Sequence, residues 1–296
     1  MTKHVPILLD PIVETLSEPF FGKTETAWLL DCTLGGGGHA AALLKAIEPH
    51  RVIAIDQDLG AVERGRERFA EEIRWGRMEI HHAKISEAVP LLAGKRVLGM
   101  MADLGFSSDQ IDDPERGLSF RHEGPLDMRL DTSRGRSARE LLQQASEREI
   151  AKLLEEYGEE RFARRIASAI ILSRREQGVP KTTKELSELV VRAIPAGARH
   201  GKIHAATRTF QALRIAVNDE LNELDCLLKR VISILQPGGR VAILSFHSLE
   251  DRRVKQAFRD PPLKQLGKKP IEASEEEVRE NPRARSAKLR IAERTE

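Results

Sequence analysis

Cysteine and long apolar runs are scarce in this chain. Its 296 residues include two cysteines, Cys32 and Cys226, which are too few for a disulfide framework or a thiolate metal site. No stretch approaches the ~20 apolar residues that a membrane-spanning helix needs. The apolar run within residues 1–10 is too short for a signal peptide. We therefore expect a cytoplasmic protein without a membrane partner.

Common catalytic signatures are also missing. There is no G-x-S-x-G elbow, and His247 and Ser248 are neighbours at the end of one predicted strand, so their side chains point in different directions. Nucleophilic catalysis by a serine is therefore not expected. The histidines His81, His82 and His204 lack ligand spacing with other metal-binding residue types, so no metal site is predicted.

The net charge of +2 is small, but the charges are unevenly distributed. Basic and acidic residues number 12 and 15 over 1–108, 20 and 17 over 109–214, 3 and 5 over 215–250, and 13 and 9 over 251–296. The basic excess therefore falls in the middle segment and in the tail. Two interpretations stay open: an anionic partner that contacts both parts, or ordinary solvated helix faces.

The most informative feature is the sequence Asp-Cys-Thr-Leu-Gly-Gly-Gly-Gly-His at 31–39. A buried strand over 28–31 is predicted to lead into this glycine turn, and a helix over 40–47 follows it. A second strand, predicted over 51–56, ends in a carboxylate, Asp56. This β-α-β pattern is typical of nucleoside-binding sites, in which the backbone approaches the ligand at the glycines and the acid binds the ribose hydroxyls.

Asp31 separates the candidate ligands. A carboxylate at the glycine turn would repel the pyrophosphate of NAD, whereas S-adenosylmethionine has no phosphate and carries an ammonium and a sulfonium that a carboxylate attracts. A glycine turn without a ligand is the remaining alternative. Four consecutive glycines, however, lose backbone entropy that a simple turn would not need to lose. The residues therefore favour S-adenosylmethionine over NAD or no ligand.

Alternating strands and helices continue after the glycine turn. Strands are predicted at 78–83 and 97–103, with helices at 59–73 and 86–92 before them. This succession of β-α units indicates a parallel sheet with right-handed crossovers.

The pattern changes after Asp103. Residues 110–128 are rich in turn signals, and 138–194 are helical with no strand signal. A long helix over 207–235 then leads to a buried strand over 240–246. The helical stretch is therefore predicted to be an insertion between two strands of one sheet.

The C-terminal part completes the predicted organisation. Residues 260–285 are predicted to form a loop, and 286–292 a last edge strand. We predict an α/β protein with a Rossmann-like sheet formed by 1–108 and 213–296. An all-helical domain over 109–212 interrupts that sheet domain.

Asp103 is the candidate for the chemistry. Ligands of open α/β sheets bind outside the carboxyl ends of the strands, where Asp31, Asp56 and Asp103 are all predicted to lie. Amino-group methyltransferases usually have an acid or amide at this point, followed by two prolines and an aromatic. The segment Asp103-Leu-Gly-Phe106 lacks the prolines. Asp103 can accept a hydrogen bond from an exocyclic amine and fix its near-attack geometry. The alternative is that Asp103 only caps the next turn.

Taken together, these segments resemble the bacterial family of small-subunit ribosomal RNA methyltransferases H, also called MraW. The resemblance runs nearly from end to end. The motifs that carry it are His4-Val-Pro-Ile-Leu-Leu, 35–39, Asp56-Gln-Asp58, Asp103-Leu-Gly-Phe-Ser-Ser108, Gly124-Pro-Leu-Asp-Met-Arg129, Tyr157-Gly-Glu-Glu160, 206–221, Pro237-Gly-Gly-Arg240, Ser245-Phe-His-Ser-Leu-Glu-Asp-Arg252 and 281–290.

The resemblance implies a class I methyltransferase that uses S-adenosyl-L-methionine and a helical insert that binds RNA. Its implied substrate is the N(4) amine of a cytidine in the decoding region of 16S rRNA, within the small ribosomal subunit. Ile85 stands where the family often has an aromatic near the adenine, so it can give apolar contact without stacking. The candidate catalytic residue remains Asp103, from its position after the fourth strand. The remaining implied cofactor contacts are Gly37, Gly38, His39, Asp56, Asp103 itself and Gln110.

Two other protein classes remain open at this point. A dehydrogenase would hold a dinucleotide in the same turn, against which Asp31 argues. A non-catalytic RNA-binding module would keep the pocket only as structure. The candidate phosphate contacts are Arg134, Arg136 and Arg139 together with the basic tail 281–290. Both a monomer and a dimer are compatible with the sequence.

Overall fold

Buried strands and amphipathic helices alternate along most of the chain. The computed structural model describes residues 6–199 and 203–296, except for the side chains of residues 108 and 109. The chain folds into two compact units. The first, here called the sheet unit, consists of Met1–Ser107 and Leu221–Glu296, and the second, the helical unit, consists of Ser108–Glu220.

A seven-stranded sheet forms the centre of the sheet unit. In chain order its strands are β1 (Trp28–Asp31), β2 (Arg51–Asp56), β3 (Met78–His82), β4 (Val97–Asp103), β5 (Leu235–Ser245), β6 (Leu263–Ile271) and β7 (Lys288–Arg294). Their spatial order is β3-β2-β1-β4-β5-β7-β6. The first five strands are parallel, and β7 lies antiparallel between β5 and β6. This mostly parallel sheet is the α/β architecture that the sequence predicted.

Helices cover both faces of this sheet. Those that precede the helical unit are α1 (Leu9–Ser17), α2 (Gly38–Ala46), α3 (Leu59–Arg68), α4 (Ala70–Arg74) and α5 (Ala88–Leu91). Those that follow are α12 (Glu220–Ile234), α13 (Ser248–Ala257) and α14 (Glu275–Glu280). Neighbouring strand residues point to opposite faces. Leu29 packs with α1 and α2, for example, and Leu30 packs with α12 and α13.

The helical unit has its own apolar core. Its helices are α6 (Ser108–Asp112), α7 (Ala138–Gln144), α8 (Glu147–Gly158), α9 (Ala163–Glu176), α10 (Thr183–Ala193) and α11 (Thr207–Asn218). Buried residues of α8, α9 and α11, among them Leu154, Ile166 and Leu213, pack together in that core. Within the described ranges, no helix of either unit is long and apolar enough to cross a bilayer.

The prediction of a loop over 260–285 is wrong, because this segment contains β6 and α14. β6 is the edge strand of the sheet and has one hydrogen-bonded neighbour. Its surface is largely exposed and carries Lys264, Lys268 and Lys269. Its sequence therefore lacks the apolar pattern of an inner strand, which is why it was predicted to be a loop. β7, which was predicted as the edge strand, lies inside the sheet and is buried along most of its length.

Two predicted helices are each divided in the structure. The segment 59–73 breaks at Phe69 into α3 and α4. The segment 207–235 breaks at Asp219, which has a left-handed φ of 56°, into α11 and α12, and its last residue belongs to β5. The helical unit extends through α11 to Glu220, so the predicted boundary at residue 212 falls inside a helix and is corrected to 220.

Candidate active site

Three carboxylates lie at the same edge of the sheet. β1 ends at Asp31, β2 at Asp56 and β4 at Asp103. β1 is hydrogen-bonded to β2 on one side and to β4 on the other, and all three strands are parallel. Their carboxyl ends therefore bring the three acids together at the edge where ligands of such sheets bind.

The glycine turn between β1 and α2 is held tightly on both sides. Gly37 has a left-handed φ of 71°, and a Cβ atom there would lie 2.8 Å from the ring of Phe69. A Cβ on Gly38 would lie 2.4 Å from Cγ of Pro6. These glycines are therefore required by the packing of the chain itself, and they leave backbone N–H groups at the start of α2.

Asp31 is buried, and only one of its two carboxylate oxygens accepts a hydrogen bond from the described residues. Its Oδ1 accepts a hydrogen bond from the backbone N–H of Thr33 at 3.0 Å, while Oδ2 is buried and has no hydrogen-bond partner among the described residues. The pKa of Asp31 is raised to about 7, chiefly by burial; the hydrogen bonds with Thr33 lower it, and the nearby charges of Asp103 and Asp56 add to the rise. An unpaired buried carboxylate oxygen is costly unless a cation binds to it.

Asp56 organises the loop around itself. Its Oδ2 accepts from the N–H of Gly35 at 2.8 Å, and its Oδ1 accepts from the N–H of Asp58 at 2.8 Å. Burial raises the pKa of Asp56 to about 6, although these two hydrogen bonds lower it. Each carboxylate oxygen has a second lone pair, so Asp56 can still accept from the hydroxyls of a ribose.

Asp103 caps its turn with one oxygen and leaves the other available. Its Oδ1 accepts from the N–H of Gly105 at 2.9 Å, and its own N–H donates to Oγ1 of Thr33 at 2.7 Å. Its Oδ2 lies 3.7 Å from Nδ1 of His39, and the carboxylate is partly exposed. Asp103 therefore does cap the turn, as one alternative had it, and it also presents a free acceptor at the site.

Phe246, the residue after β5, packs against the Asp103 loop. A Cβ on Gly105 would lie 2.6 Å from Cε2 of Phe246 and 2.9 Å from Oδ1 of Asp103. Glycine at this position therefore lets the Phe246 ring pack directly against the Asp103 loop. Phe246 itself is held by its N–H, which donates to Oε2 of Glu250 at 2.8 Å.

Ile85 begins a short 3-10 helix, Ile85–Glu87, after β3 and is half-buried. The next residue, Ser86, is fixed by α12: its N–H and its Oγ donate to the two carboxylate oxygens of Glu223 at 2.8 and 3.0 Å, and Arg230 donates to its carbonyl. Glu223 was not predicted, because no local pattern connects two residues separated by 137 positions.

The predicted site residues thus fall into two groups. Gly37, Gly38, His39, Asp56 and Asp103 lie around the glycine turn and the carboxyl edge, and Ile85 lies in the loop after β3. Gln110 belongs to α6 of the helical unit, where its side chain is buried. Contact of each of these residues with a cofactor stays a prediction.

The charges at the glycine turn fit S-adenosylmethionine. In the part of the chain that the structure describes, Oδ2 of Asp31 and Oδ2 of Asp103 accept no hydrogen bond, and the mutual repulsion of the two carboxylates favours a cation between or beside them. The same charges oppose a pyrophosphate, which is the group that a dinucleotide would place at this turn.

Comparisons with known proteins agree with this chemistry. A model of the MraW methylase family matches residues 1–295. The chain is 46% identical to the ribosomal RNA small subunit methyltransferase H of Synechococcus elongatus, over 98% of this chain and 94% of that protein. It is 47% identical to the protein of that name from Sorangium cellulosum, over 99% and 91%, and 43% identical to that from Halothermothrix orenii, over 99% of both.

Among solved structures, the chain is similar to a putative rRNA methylase from Clostridium thermocellum. The two are 12% identical, with a TM-score of 0.46 over 98% of each chain. The family match spans nearly the whole chain and identifies a methylase. The two alternative classes, a dehydrogenase and a non-catalytic binding module, are therefore rejected. The chain belongs to the MraW methylase family and is an S-adenosylmethionine-dependent methyltransferase.

Proposed function

We propose that this protein methylates the N(4) amine of a cytidine in the decoding region of 16S rRNA, with the small ribosomal subunit as its substrate. The relatives named above, ribosomal RNA small subunit methyltransferases, support the substrate class. The observation that carries the chemistry is the free Oδ2 of Asp103, next to a buried acidic cluster at the carboxyl edge of the sheet.

The cofactor is proposed to bind along this edge. Asp31 faces its ammonium, Asp56 accepts from its ribose hydroxyls, and Ile85 packs against its adenine. Gln110 is the proposed contact from the helical unit. The backbone of Gly37, Gly38 and His39 supplies the remaining contacts. When bound, S-adenosylmethionine supplies an electrophilic methyl group.

Asp103 is proposed to orient the amine. The lone pair of an exocyclic amine is delocalised into the ring, so methylation needs the nitrogen to be held in line with the methyl group. Oδ2 of Asp103 can accept one amine hydrogen while Oδ1 stays fixed on Gly105. Removal of a proton before methylation is excluded by acidity, because a carboxylate is far too weak a base for a neutral amine. The proton therefore leaves after the nitrogen has become cationic.

RNA binding is proposed for the helical unit. Arg134, Arg136 and Arg139 lie exposed around the start of α7. Arg134 is paired with Asp131 and Arg136 with Gln144, and a guanidinium carries five N–H donors and a permanent positive charge that attracts phosphate. The basic tail contributes less than its composition suggests, because Arg290 is buried and bound to Asp251 at 2.7 Å.

Methyl transfer to unmodified small subunits tests the proposal. We expect the purified protein to transfer labelled methyl from S-adenosylmethionine to 16S rRNA, and nucleoside analysis to find N(4)-methylcytidine. Asp103→Asn keeps the shape and one acceptor but loses the charge, so it should lower turnover with a smaller effect on RNA binding. Label on another nucleoside, or wild-type turnover in Asp103→Asn, would contradict the assignment.

A further inference from the structure

His39 is held in one tautomer by the chain itself. Its ring nitrogen Nε2 lies 3.0 Å from the backbone carbonyl of Ile7. A carbonyl oxygen can only accept, so Nε2 must carry the hydrogen of that contact. In the neutral ring, Nδ1 is therefore the nitrogen with the lone pair.

That lone pair faces the free oxygen of Asp103. Nδ1 lies 3.7 Å from Oδ2, and the two side chains are 10% and 22% exposed, so water screens their interaction only in part. The other oxygen, Oδ1, already accepts from Gly105. With a neutral ring and an ionised carboxylate, two acceptors face one another with no hydrogen between them. The arrangement becomes favourable when one proton is added to the pair.

We propose that His39 and Asp103 form a proton-accepting pair for the methylation, with His39 acting through Asp103. This inference rests on the proposed function. The amine nitrogen forms its bond to the methyl carbon while the donor sulfur leaves with the bonding electron pair, and the nitrogen is then cationic. Asp103 Oδ2 takes the N–H proton, and Nδ1 of His39 receives it from Oδ2. The methylated amine is left neutral, and an imidazolium–carboxylate ion pair holds the proton until product leaves.

The charges around the pair favour this proton. Asp31 on β1 and Asp56 on β2 are carboxylates of the same edge, and Glu277 of α14 accepts from the N–H of Leu8, next to the Ile7 carbonyl. Two arginines of α3 lie near this edge: Arg68 donates to the carbonyl of Gly36, and the positive charge of Arg64 lowers the pKa of Asp56. The acid placed against the ring itself is Asp103, whose Oδ2 lies 3.7 Å from Nδ1 and attracts a positive charge there.

Two substitutions of His39 separate this role from a structural one. His39→Gln places an amide nitrogen near the position of Nε2, so it can keep the hydrogen bond to Ile7 but has nothing in place of Nδ1. His39→Asn places an amide near Nδ1 and loses the bond to Ile7. His81→Gln is the control, because His81 is a half-buried histidine of β3 paired with Glu79 outside this pair.

We expect His39→Gln to bind S-adenosylmethionine like the wild type but to lower kcat roughly 10- to 100-fold near neutral pH, within or below the usual range for proton-transfer catalysis. The loss should shrink at high pH, where solvent accepts the proton. The control should keep wild-type kcat. If His39→Gln has the wild-type kcat and pH profile while His39→Asn is impaired, His39 only anchors the Ile7 segment and the proposal is overturned.

A measurement without cofactor or RNA keeps this test independent of the proposed function. In protein with ¹⁵N-labelled histidine, NMR should show the Nε2–H tautomer for His39 at high pH. Asp103→Asn should move the ¹⁵N signal of His39 Nδ1, because it replaces the carboxylate that lies 3.7 Å from this nitrogen. An unchanged Nδ1 signal would refute the pair even if methylation proceeds. If the NMR results for His39 and Asp103 are as expected but small subunits are not methylated, the proposed substrate is refuted and the pair is not.

Discussion

At the scale of single residues, burial makes the charge of Asp31 depend on pH near neutrality. Its pKa is raised to about 7, chiefly by burial, from the ordinary 3.8. Cofactor binding should need the ionised form, since the ligand presents an ammonium and a sulfonium. We expect the affinity for S-adenosylmethionine to fall as the pH is lowered through about 7, and calorimetry from pH 8 to pH 6 measures it. Asp31→Asn should weaken binding at pH 8 and remove the part of this dependence centred near pH 7, leaving the part near pH 6 that belongs to Asp56.

The same residue should destabilise the protein when no cofactor is bound. The folded state holds the Asp31 proton more tightly than the unfolded chain, so the stability that this proton contributes is lost as the pH rises through about 7. Asp31→Asn has no proton to lose. Urea denaturation should therefore find cofactor-free Asp31→Asn more stable than wild type at pH 8, with little difference at pH 4. Equal stability at both values would show that Asp31 is not buried as an unpaired charge.

Asp56 carries a different expectation, because it holds two backbone N–H groups. Asp56→Ala should weaken S-adenosylmethionine binding by about 1.5–3 kcal/mol, the range for a hydrogen bond to a charged group. It also removes the acceptors of Gly35 and Asp58, so the melting temperature should fall as well. Calorimetry and thermal melting report the two effects separately. Unchanged affinity would remove Asp56 from the site.

The three acids of the site were predictable because each ends an inner strand of a parallel sheet. Their strands are short apolar runs, so the ends of the runs place Asp31, Asp56 and Asp103 without knowledge of the packing. The contacts of Glu223 and the pairing of His39 with Ile7 were not predictable. Both depend on how segments far apart in sequence pack against each other, and neither leaves a local pattern.

At the scale of elements, the hydrogen bonds from Ser86, in the loop after β3, to Glu223 of α12 should set the adenine position. These hydrogen bonds are here called the Ser86–Glu223 clamp. Glu223→Ala leaves the N–H and the hydroxyl of Ser86 without their acceptor. We expect a loss of about 1–3 kcal/mol in cofactor affinity, because the Ile85 loop is no longer fixed. Hydrogen exchange should accelerate over residues 84–92.

A matched control lies on the same helix. Lys229 is an exposed residue of α12, so Lys229→Ala should leave both affinity and exchange unchanged. Suppose that hydrogen exchange is faster in Glu223→Ala but that its affinity for S-adenosylmethionine equals that of the wild type. The Ser86–Glu223 clamp would then stabilise the loop, and Ile85 would not contact the cofactor.

The misread C-terminal elements show where composition misleads. β6 is polar because it is the edge strand of the sheet, so its lysine-rich sequence resembles that of a loop. In β7 the basic residues are partly internal, since Arg290 is bound to Asp251 and Lys288 lies 3.7 Å from the same carboxylate. Charge counts treat such residues as surface charge, although their partners neutralise them.

At the scale of the whole molecule, the division into two units followed from the pattern of the sequence. The β-α units end at Asp103, and the next buried strand is β5. The sequence between them predicts helices only. The exact end of the insert was not predictable, because it depends on the left-handed residue Asp219 that separates α11 from α12. Asp is among the few non-glycine residues that tolerate this conformation, and it gives no signal of its own.

The unit that contacts RNA can be identified by salt dependence. If the helical unit binds the phosphates, then replacing Arg134, Arg136 and Arg139 by glutamine should reduce the slope of log K against log salt by about 2, at roughly 0.7 per single-strand phosphate contact. Binding of 16S rRNA in small subunits, measured over a series of salt concentrations, gives the slope. Cofactor affinity should not change, since these three side chains are absent from the proposed cofactor contacts.

The tail provides the matched control for that experiment. Arg283, Arg285 and Lys288 are an equal number of basic residues in the sheet unit, and Lys288 is already paired with Asp251. Their replacement by glutamine should change the slope less than the arginine triple does. A slope that depends on the tail triple and not on the three arginines would assign the phosphate contacts to the sheet unit and leave the helical unit without a demonstrated partner.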